Sequence, residues 1–277
     1  MALSAIDIYK KILPKTNCRD CGYLTCLAFA SMVVSEKLPL DKCPHIPADL
    51  LARYQPELMD QYDANKWTKR DPAQDALTWA RKRAASMALA ALPERIGGIL
   101  MDMGDGPCLA LPYFQDTIFI RENSIQTQSG LELNRWEQVF IYNHLAQGGR
   151  DVPTGKWKAL EEIPNTVSKI KSMREHVELV LQDRFACRVS ELQAAADRLG
   201  GVTQNNPGAA ADVARVFQPL PRIPIFLQFW DAEPSEGFAA KTRLLFDETI
   251  VRHLDIESIL FLSEELTRRL CEKPANC

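Results

Sequence analysis

Ile12 to Pro44 read ILPKTNCRDCGYLTCLAFASMVVSEKLPLDKCP. Within it Cys18, Cys21, Cys26 and Cys43 follow the spacing C-x2-C-x4-C-x16-C-P, and they are half of the eight cysteines in the 277-residue chain. Thiolates are soft donors that suit zinc and iron-sulfur clusters, and four of them from one short segment satisfy either. The detail favours a cluster. Structural zinc sites usually present two close pairs on separate knuckles, whereas here three cysteines crowd into nine residues and the fourth follows a helical stretch. Gly22 lets the backbone pass close to an inorganic sulfide, and Pro44 stiffens the chain after the last ligand. On spacing alone a zinc site and four plain thiols stay open as alternatives. His45 is the nearest other ligand and reads as a surface residue, while Cys108, Cys187, Cys271 and Cys277 read as ordinary free cysteines.

The flanks of this loop are helical. Ser4 and Asp7 have the capping-box spacing, with Ile6, Tyr9, Ile12 and Leu13 at helical intervals up to Pro14. Leu27 to Glu36 reads as a buried helix, and residues 48 to 54 as a further short one. Residues 56 to 71 are polar with little periodicity and read as a linker. The spacing then predicts an Ala-rich helix over 72–92, with Asp71 as its cap and Pro72 at its first position. The expected organisation is a cysteine module over residues 1–55, a linker and helix over 56–79, and an α+β domain over 80–277.

In that last part, residues 108–114, 117–121 and 124–128 predict a small antiparallel meander. Asn134 with Glu137 repeats the capping box ahead of a helix that ends at Gly148 and Gly149. Further helices are expected over 166–182 and over 190–199, the latter started by Ser190 and Gln193. The segment from Val202 to Asp212 reads as a loop. Pro219, Pro221 and Pro224 flank an apolar strand, Ile223 to Trp230, and point to a sheet edge or a strand start. A strand over 242–246 and a helix over 256–271 follow, the latter with Ile259, Leu260, Leu262, Leu266 and Leu270 as its inner stripe.

Composition narrows the function. Lys and Arg number 33 against 36 Asp and Glu, a net charge of -3, which excludes a nucleic-acid platform built on a basic field. No apolar run approaches the roughly 20 residues of a membrane span, and the opening MALSAIDIYKK reaches Asp7 before a signal-peptide core could form. The expectation is a cytoplasmic protein, in which clustered thiols bind metal in preference to forming disulfides. Residues 1–70 carry ten Lys and Arg and eight Asp and Glu, so the module is mildly positive against an acidic body.

The segment quoted above resembles the four-cysteine module at the N-terminus of the large subunit of corrinoid iron-sulfur proteins, the methyl carriers of the reductive acetyl-CoA pathway. More loosely it is similar to a module in ion-pumping ferredoxin oxidoreductases. The LPKTNC, CG, TC-LAFA and CP elements carry the likeness, which covers residues 6 to about 54. The resemblance implies one low-potential 4Fe-4S cluster on Cys18, Cys21, Cys26 and Cys43. The corrinoid protein's TIM barrel and corrinoid domain do not carry over, because the remaining chain has neither the length nor the pattern. Residues 80–271, with DVPTGKW, PLPRIPIFLQFWDAE and RLLFD, look like an uncharacterised domain that accompanies such modules in anaerobic bacteria.

No phosphate loop, nucleophile elbow, HExxH motif or calcium loop is present, and His144, His176 and His253 read as helix-surface or core-edge residues. Two speculative cofactor-binding places stand out. One is the strand-end loop with Trp230, Asp231, Glu233 and Glu236; the other is the TGKW turn with Lys156 and Trp157. Both also read as plain turns. The expected function is electron transfer from the cluster to a partner or cofactor, with a ferredoxin or a corrinoid protein as redox partner and a corrinoid or other second cofactor possible. The alternatives are an enzyme whose active site lies in the second domain and a non-catalytic redox-sensing or structural module, so catalytic residues stay unassigned.

Overall fold

The computed structural model describes residues 3–64, 72–104, 106–122, 124–204 and 211–272. Asp71, most of the loop expected after Val202, and Cys277 lie outside them. The chain is α+β and divides into two compact units, Met1–Asp75 and Ala76–Cys277.

The first unit is helical, with α1 (Ala5–Lys11), α2 (Cys26–Glu36) and α3 (Ala48–Asp63). The Ser4 and Asp7 capping box forms as the spacing predicts. Thr25 caps α2 by accepting from the Ala28 amide at 3.0 Å, and Lys37 closes it in the left-handed conformation. Ile8, Ile12, Phe29, Val33, Leu40 and Leu58 pack the core, which also takes in Cys26 and Cys43.

The expected linker is corrected here. α3 runs through Pro56 to Asp63 and buries Leu58, Gln61 and Tyr62. A proline inside a helix costs about 3 kcal/mol. Burying Leu58 contributes roughly 1.5–3 kcal/mol, and Tyr62 adds apolar area of its own, so tertiary packing outweighs the break. The last turns also fasten the module: Gln61 accepts from the Leu3 amide at 2.7 Å and donates to its carbonyl at 3.2 Å, and the Tyr62 hydroxyl donates to the Val33 carbonyl at 2.8 Å.

The second unit opens within α4 (Pro72–Ala84) and continues through α5 (Leu92–Ile96). α4 stops eight residues short of the expected end, because the Ser86 and Met87 amides turn back onto the carbonyls of Arg83 and Ala84. Strands β1 (Ile99–Asp102), β2 (Pro107–Tyr113), β3 (Asp116–Ile120) and β4 (Ile125–Thr127) form an antiparallel meander in that order. Helix α6 (Arg135–Gln147) follows with its Asn134 and Glu137 capping box.

Then come β5 (Trp157–Ala159), α7 (Val167–Met173), a π-turn over Arg174–Glu178, α8 (Leu179–Phe185) and α9 (Val189–Arg198). α9 has Arg188 at its cap, so Ser190 falls two residues too late to serve as one. Strands β6 (Val202–Thr203), β7 (Val213–Leu220), β8 (Ile223–Trp230) and β9 (Lys241–Asp247) join β5 in a second antiparallel sheet, ordered β5-β9-β8-β7-β6, and α10 (Ile256–Cys271) ends the fold.

β8 is the middle strand of this sheet, buried from Ile223 to Phe229, so the proline marks a strand start and the edge reading is set aside. Pro224 needs no partner for a missing amide because the β7 register shifts beside it, between Phe217 and Leu220. The carbonyl of Pro219, freed at that irregularity, accepts from the Phe114 amide of the first sheet at 2.9 Å. All five residues of the expected inner stripe of α10 are buried.

Candidate metal centre

The loop before α2 is shaped by left-handed residues: Lys15, Asn17, Arg19 and Gly22 have φ of 63°, 51°, 71° and 84°. Asparagine tolerates this conformation through its short polar side chain, and Gly22 adopts it without a Cβ to strain. The Gly22 amide donates to the Arg19 carbonyl at 2.8 Å, closing a tight turn between Cys18 and Cys21. Asn17 then ties the loop to the helix start. Its Oδ1 accepts from the Cys26 amide at 2.8 Å, and its own amide donates to Cys26 Sγ at 3.4 Å.

The four cysteines are graded in burial: Cys18 is exposed, Cys21 half-buried, and Cys26 and Cys43 are buried. Burial pushes the Cys43 thiol up. The His45 backbone amide opposes that, and charge on Cys21, Cys18 and Cys26 adds to it, so those three sulfurs lie within electrostatic reach of Cys43. Thiols placed together in this way are unfavourable as free anions and suit a cationic centre.

Among the described residues no three of the four sulfurs lie mutually within 4.8 Å. By the chemistry of the donor set, four cysteine thiols from one segment, two of them buried in an apolar core, fit an iron-sulfur cluster.

One group of ligand atoms is tighter, among the described residues. Cys18, Asp20 and His45 lie within 4.8 Å of one another, all three exposed. His45 Nε2 meets Asp20 Oδ2 at 2.5 Å, a contact across 25 residues that the sequence reading of His45 as a lone surface residue missed.

In the second unit the two speculative places turn out to be separate. Trp157 pairs with Asp247 at one end of β9, and Trp230 pairs with Lys241 at the other, about 20 Å away at strand rise. Lys156 is in an ion pair with Glu248 at 3.2 Å, and Trp157 stacks obliquely on Phe226 with centroids 5.2 Å apart. Lys241 lies over the Trp230 ring at 5.8 Å. The Asp231 carboxylate accepts from the Cys187 amide at 2.6 Å and so helps shape the backbone, and Glu233 sits in a turn bridged to Phe238 through its backbone.

A different constellation is buried nearer α6 and α10. Tyr113 donates to Glu137 Oε1 at 2.8 Å, and Arg269 donates to the same oxygen at 2.8 Å. Arg269 and Arg268 also hold Glu265, at 2.5 and 2.6 Å. Burial, and then the Glu265 charge, push the Glu137 carboxyl up; burial pushes Glu265 up as well, but its bonds to Arg268 and Arg269 outweigh that and hold it low. Tyr113, Glu137, Arg268 and Arg269 border a cavity of about 550 Å³ with Asp116 and Ser129. Sequence reading missed the set because the bonds that join it, from Tyr113 and Arg269 to Glu137, span 24 and 132 residues.

Of the histidines, His176 is exposed and bonded to Glu264, whereas His144 and His253 are fully buried and not at the core edge. His144 Nδ1 bonds the His253 carbonyl at 3.1 Å, and burial depresses its pKa to about 4. Among the described residues no helix is long and apolar enough to cross a membrane.

Comparison with known proteins assigns both parts of the chain to families. Residues 13–45 match the family described as "Putative Fe-S cluster". The same region is 52% identical over 42 residues to the acetyl-CoA decarbonylase/synthase complex subunit gamma of Methanocaldococcus jannaschii, covering 15% of this chain and 8% of that protein. It is 52% identical over 46 residues to the corrinoid/iron-sulfur protein large subunit of Moorella thermoacetica, covering 17% and 10%. The chain thus spans about a tenth of the length of these curated relatives. No solved structure matches the chain. Residues 89–269, 181 of the 277, match the family described as a domain of unknown function, DUF3786. Behind an N-terminal module akin to those of the gamma and corrinoid/iron-sulfur large subunits, the chain belongs to the DUF3786 family.

Proposed function

We propose that the first unit holds one 4Fe-4S cluster on Cys18, Cys21, Cys26 and Cys43, and that the protein delivers low-potential electrons to a redox partner or cofactor. The observation that carries this reading is the four-cysteine loop, with Cys26 and Cys43 buried in the module core, in a segment 52% identical to modules of corrinoid/iron-sulfur and decarbonylase/synthase subunits. When bound, such a cluster supplies one-electron chemistry at a potential set by its charge, its hydrogen bonds and its exposure.

The chain's own residues divide the work. Cys26 and Cys43 anchor the centre in the apolar core and keep water from that side. Exposed Cys18 brings one corner to the surface, where a partner approaches. Asn17 fixes the loop against the start of α2, so that the ligands keep their positions through a change of charge.

The partner we favour is a ferredoxin as donor and a corrinoid protein or corrinoid as acceptor, in the cytoplasm of an anaerobe. A second reading, an enzyme with its active site in the second unit, draws support from the buried Glu137 carboxyl beside a cavity of about 550 Å³. Anaerobic reconstitution with iron and sulfide, iron counting, and electron paramagnetic resonance of the reduced protein test the main reading. Four irons per chain and a low-potential signal are expected; stoichiometric zinc in the isolated protein with no cluster assembly overturns it.

A further inference from the structure

Asp20 lies between the first two cysteines, and His45 lies two residues beyond the last. Their side chains meet at 2.5 Å, so one hydrogen bond joins the loop that carries Cys18 and Cys21 to the segment that carries Cys43. The ligand atoms of Cys18, Asp20 and His45 lie within 4.8 Å of one another, so the clasp sits directly beside the Cys18 sulfur. Cys18 is the exposed member of the set, on a loop whose backbone is left-handed at Asn17, Arg19 and Gly22. Such a loop has few apolar contacts to hold it, and a cross-link between its two halves limits its opening.

Resting on the cluster reading above, we propose that Asp20 and His45 form a clasp that closes the ligand segments around the exposed corner at Cys18, and that the Asp20 carboxylate held there lowers the cluster's reduction potential. The two parts have different physical origins. The clasp acts through the bond, which ties the Cys18 segment to the Cys43 segment and slows the opening through which iron escapes. The potential acts through charge, because an anion beside a cluster disfavours the added electron. Asp20 and His45 are thus positioning residues that act on the centre through Cys18 and Cys43.

Four variants of the full chain separate these effects. His45→Ala removes the bond and keeps the carboxylate. Asp20→Asn removes the charge and keeps an oxygen that accepts from the imidazole. Asp20→Ala removes both, and His45→Gln restores an N–H donor. The readouts are anaerobic loss of cluster absorbance to an iron chelator and the midpoint potential from a redox titration.

His45→Ala and Asp20→Ala are expected to lose iron several-fold faster, with Asp20→Asn and His45→Gln close to the wild type. The potential is expected to become less negative in Asp20→Asn and Asp20→Ala and to stay in place in His45→Ala. Both side chains are exposed, so circular dichroism of the iron-free variants is expected to match the wild type. A wild-type cluster with an unchanged iron-loss rate in His45→Ala overturns the clasp while leaving the cluster reading intact. An unchanged potential in Asp20→Asn overturns the charge effect. A wild type that assembles no cluster overturns this proposal and the cluster reading together.

Discussion

Asn17 and Cys26 hold each other from both sides: the Cys26 amide donates to Asn17 Oδ1 at 2.8 Å while the Asn17 amide donates to Cys26 Sγ at 3.4 Å. The first bond satisfies an amide at the start of α2, and the second places a donor on the ligand sulfur. Asn17→Ala removes the first and puts a Cβ-bearing residue without a side-chain hydrogen bond at φ 51°. The lost bond costs about 1 kcal/mol, and the left-handed backbone adds roughly 1 kcal/mol more. The expected result is a cluster lost faster on dilution into air, whereas Asn17→Asp, which keeps the acceptor, stays close to the wild type. Equal lifetimes for the alanine and aspartate variants exclude the side chain from this role.

The buried ion network of the second unit gives a sharper test of stability. Arg269 stacks over Phe114 at 4.4 Å and Tyr113 at 5.0 Å while binding both Glu137 and Glu265. Arg269→Ala leaves Glu137 and part of Glu265 without their shared cation, and breaking a buried pair in this way costs about 3–5 kcal/mol. A urea midpoint followed by tryptophan fluorescence is expected to fall accordingly. Replacing Glu137 with Gln removes the charge but keeps an acceptor for Tyr113, so its penalty is expected to be smaller. A larger loss in Glu137→Gln than in Arg269→Ala contradicts this ordering.

Acid is expected to weaken the second unit through His144. Burial holds its pKa at about 4, against 6.5 for the free side chain, and His253 moves in the same direction. Between these values the unfolded chain binds a proton that the folded one refuses, so the stabilising contribution is complete above about pH 6.5 and declines as the pH falls toward 4. The full shift corresponds to about 3 kcal/mol. The groups acting on the pair are Arg222, which disfavours protonation, and Asp151 and Asp247, which favour it at His253. Urea midpoints between pH 7 and pH 4.5 are expected to drop, and His144→Gln to flatten much of that slope. An unaltered slope in the variant assigns the acid sensitivity elsewhere.

What the sequence made legible was local or periodic. Capping boxes at Ser4 and Asn134 and the stripe of α10 each depend on residues a few positions apart, and all reappear in the structure. What it hid was tertiary. β7 reads poorly as a strand because Arg215 and Pro219 interrupt its pattern, and it forms through pairing with the apolar β8. The contact between Asp20 and His45, and the bonds from Tyr113 and Arg269 to Glu137, join distant residues with no local signature. Pro56 misled for a related reason: its helix-breaking tendency is a local property, and burial of the following turns overrides it.

That override sets where the first unit ends. A chain of residues 1–55 contains every cysteine of the candidate centre but lacks Leu58, Gln61 and Tyr62, all buried in the first unit. Without them the Leu3 backbone loses both bonds to Gln61, the Val33 carbonyl loses its bond from Tyr62, and the core around Phe29 and Val33 opens to water. Loss of a leucine side chain from a core alone costs about 2–5 kcal/mol, a large part of the stability of so small a unit. A chain of residues 1–75 is therefore expected to show a cooperative thermal transition and to assemble the cluster, whereas residues 1–55 give neither. Within the longer chain, Leu58→Ala is expected to lower the melting temperature and Pro56→Ala to raise it, since alanine restores the helical amide at a site already helical. Cooperative folding and cluster assembly by residues 1–55 would return the boundary to Pro56.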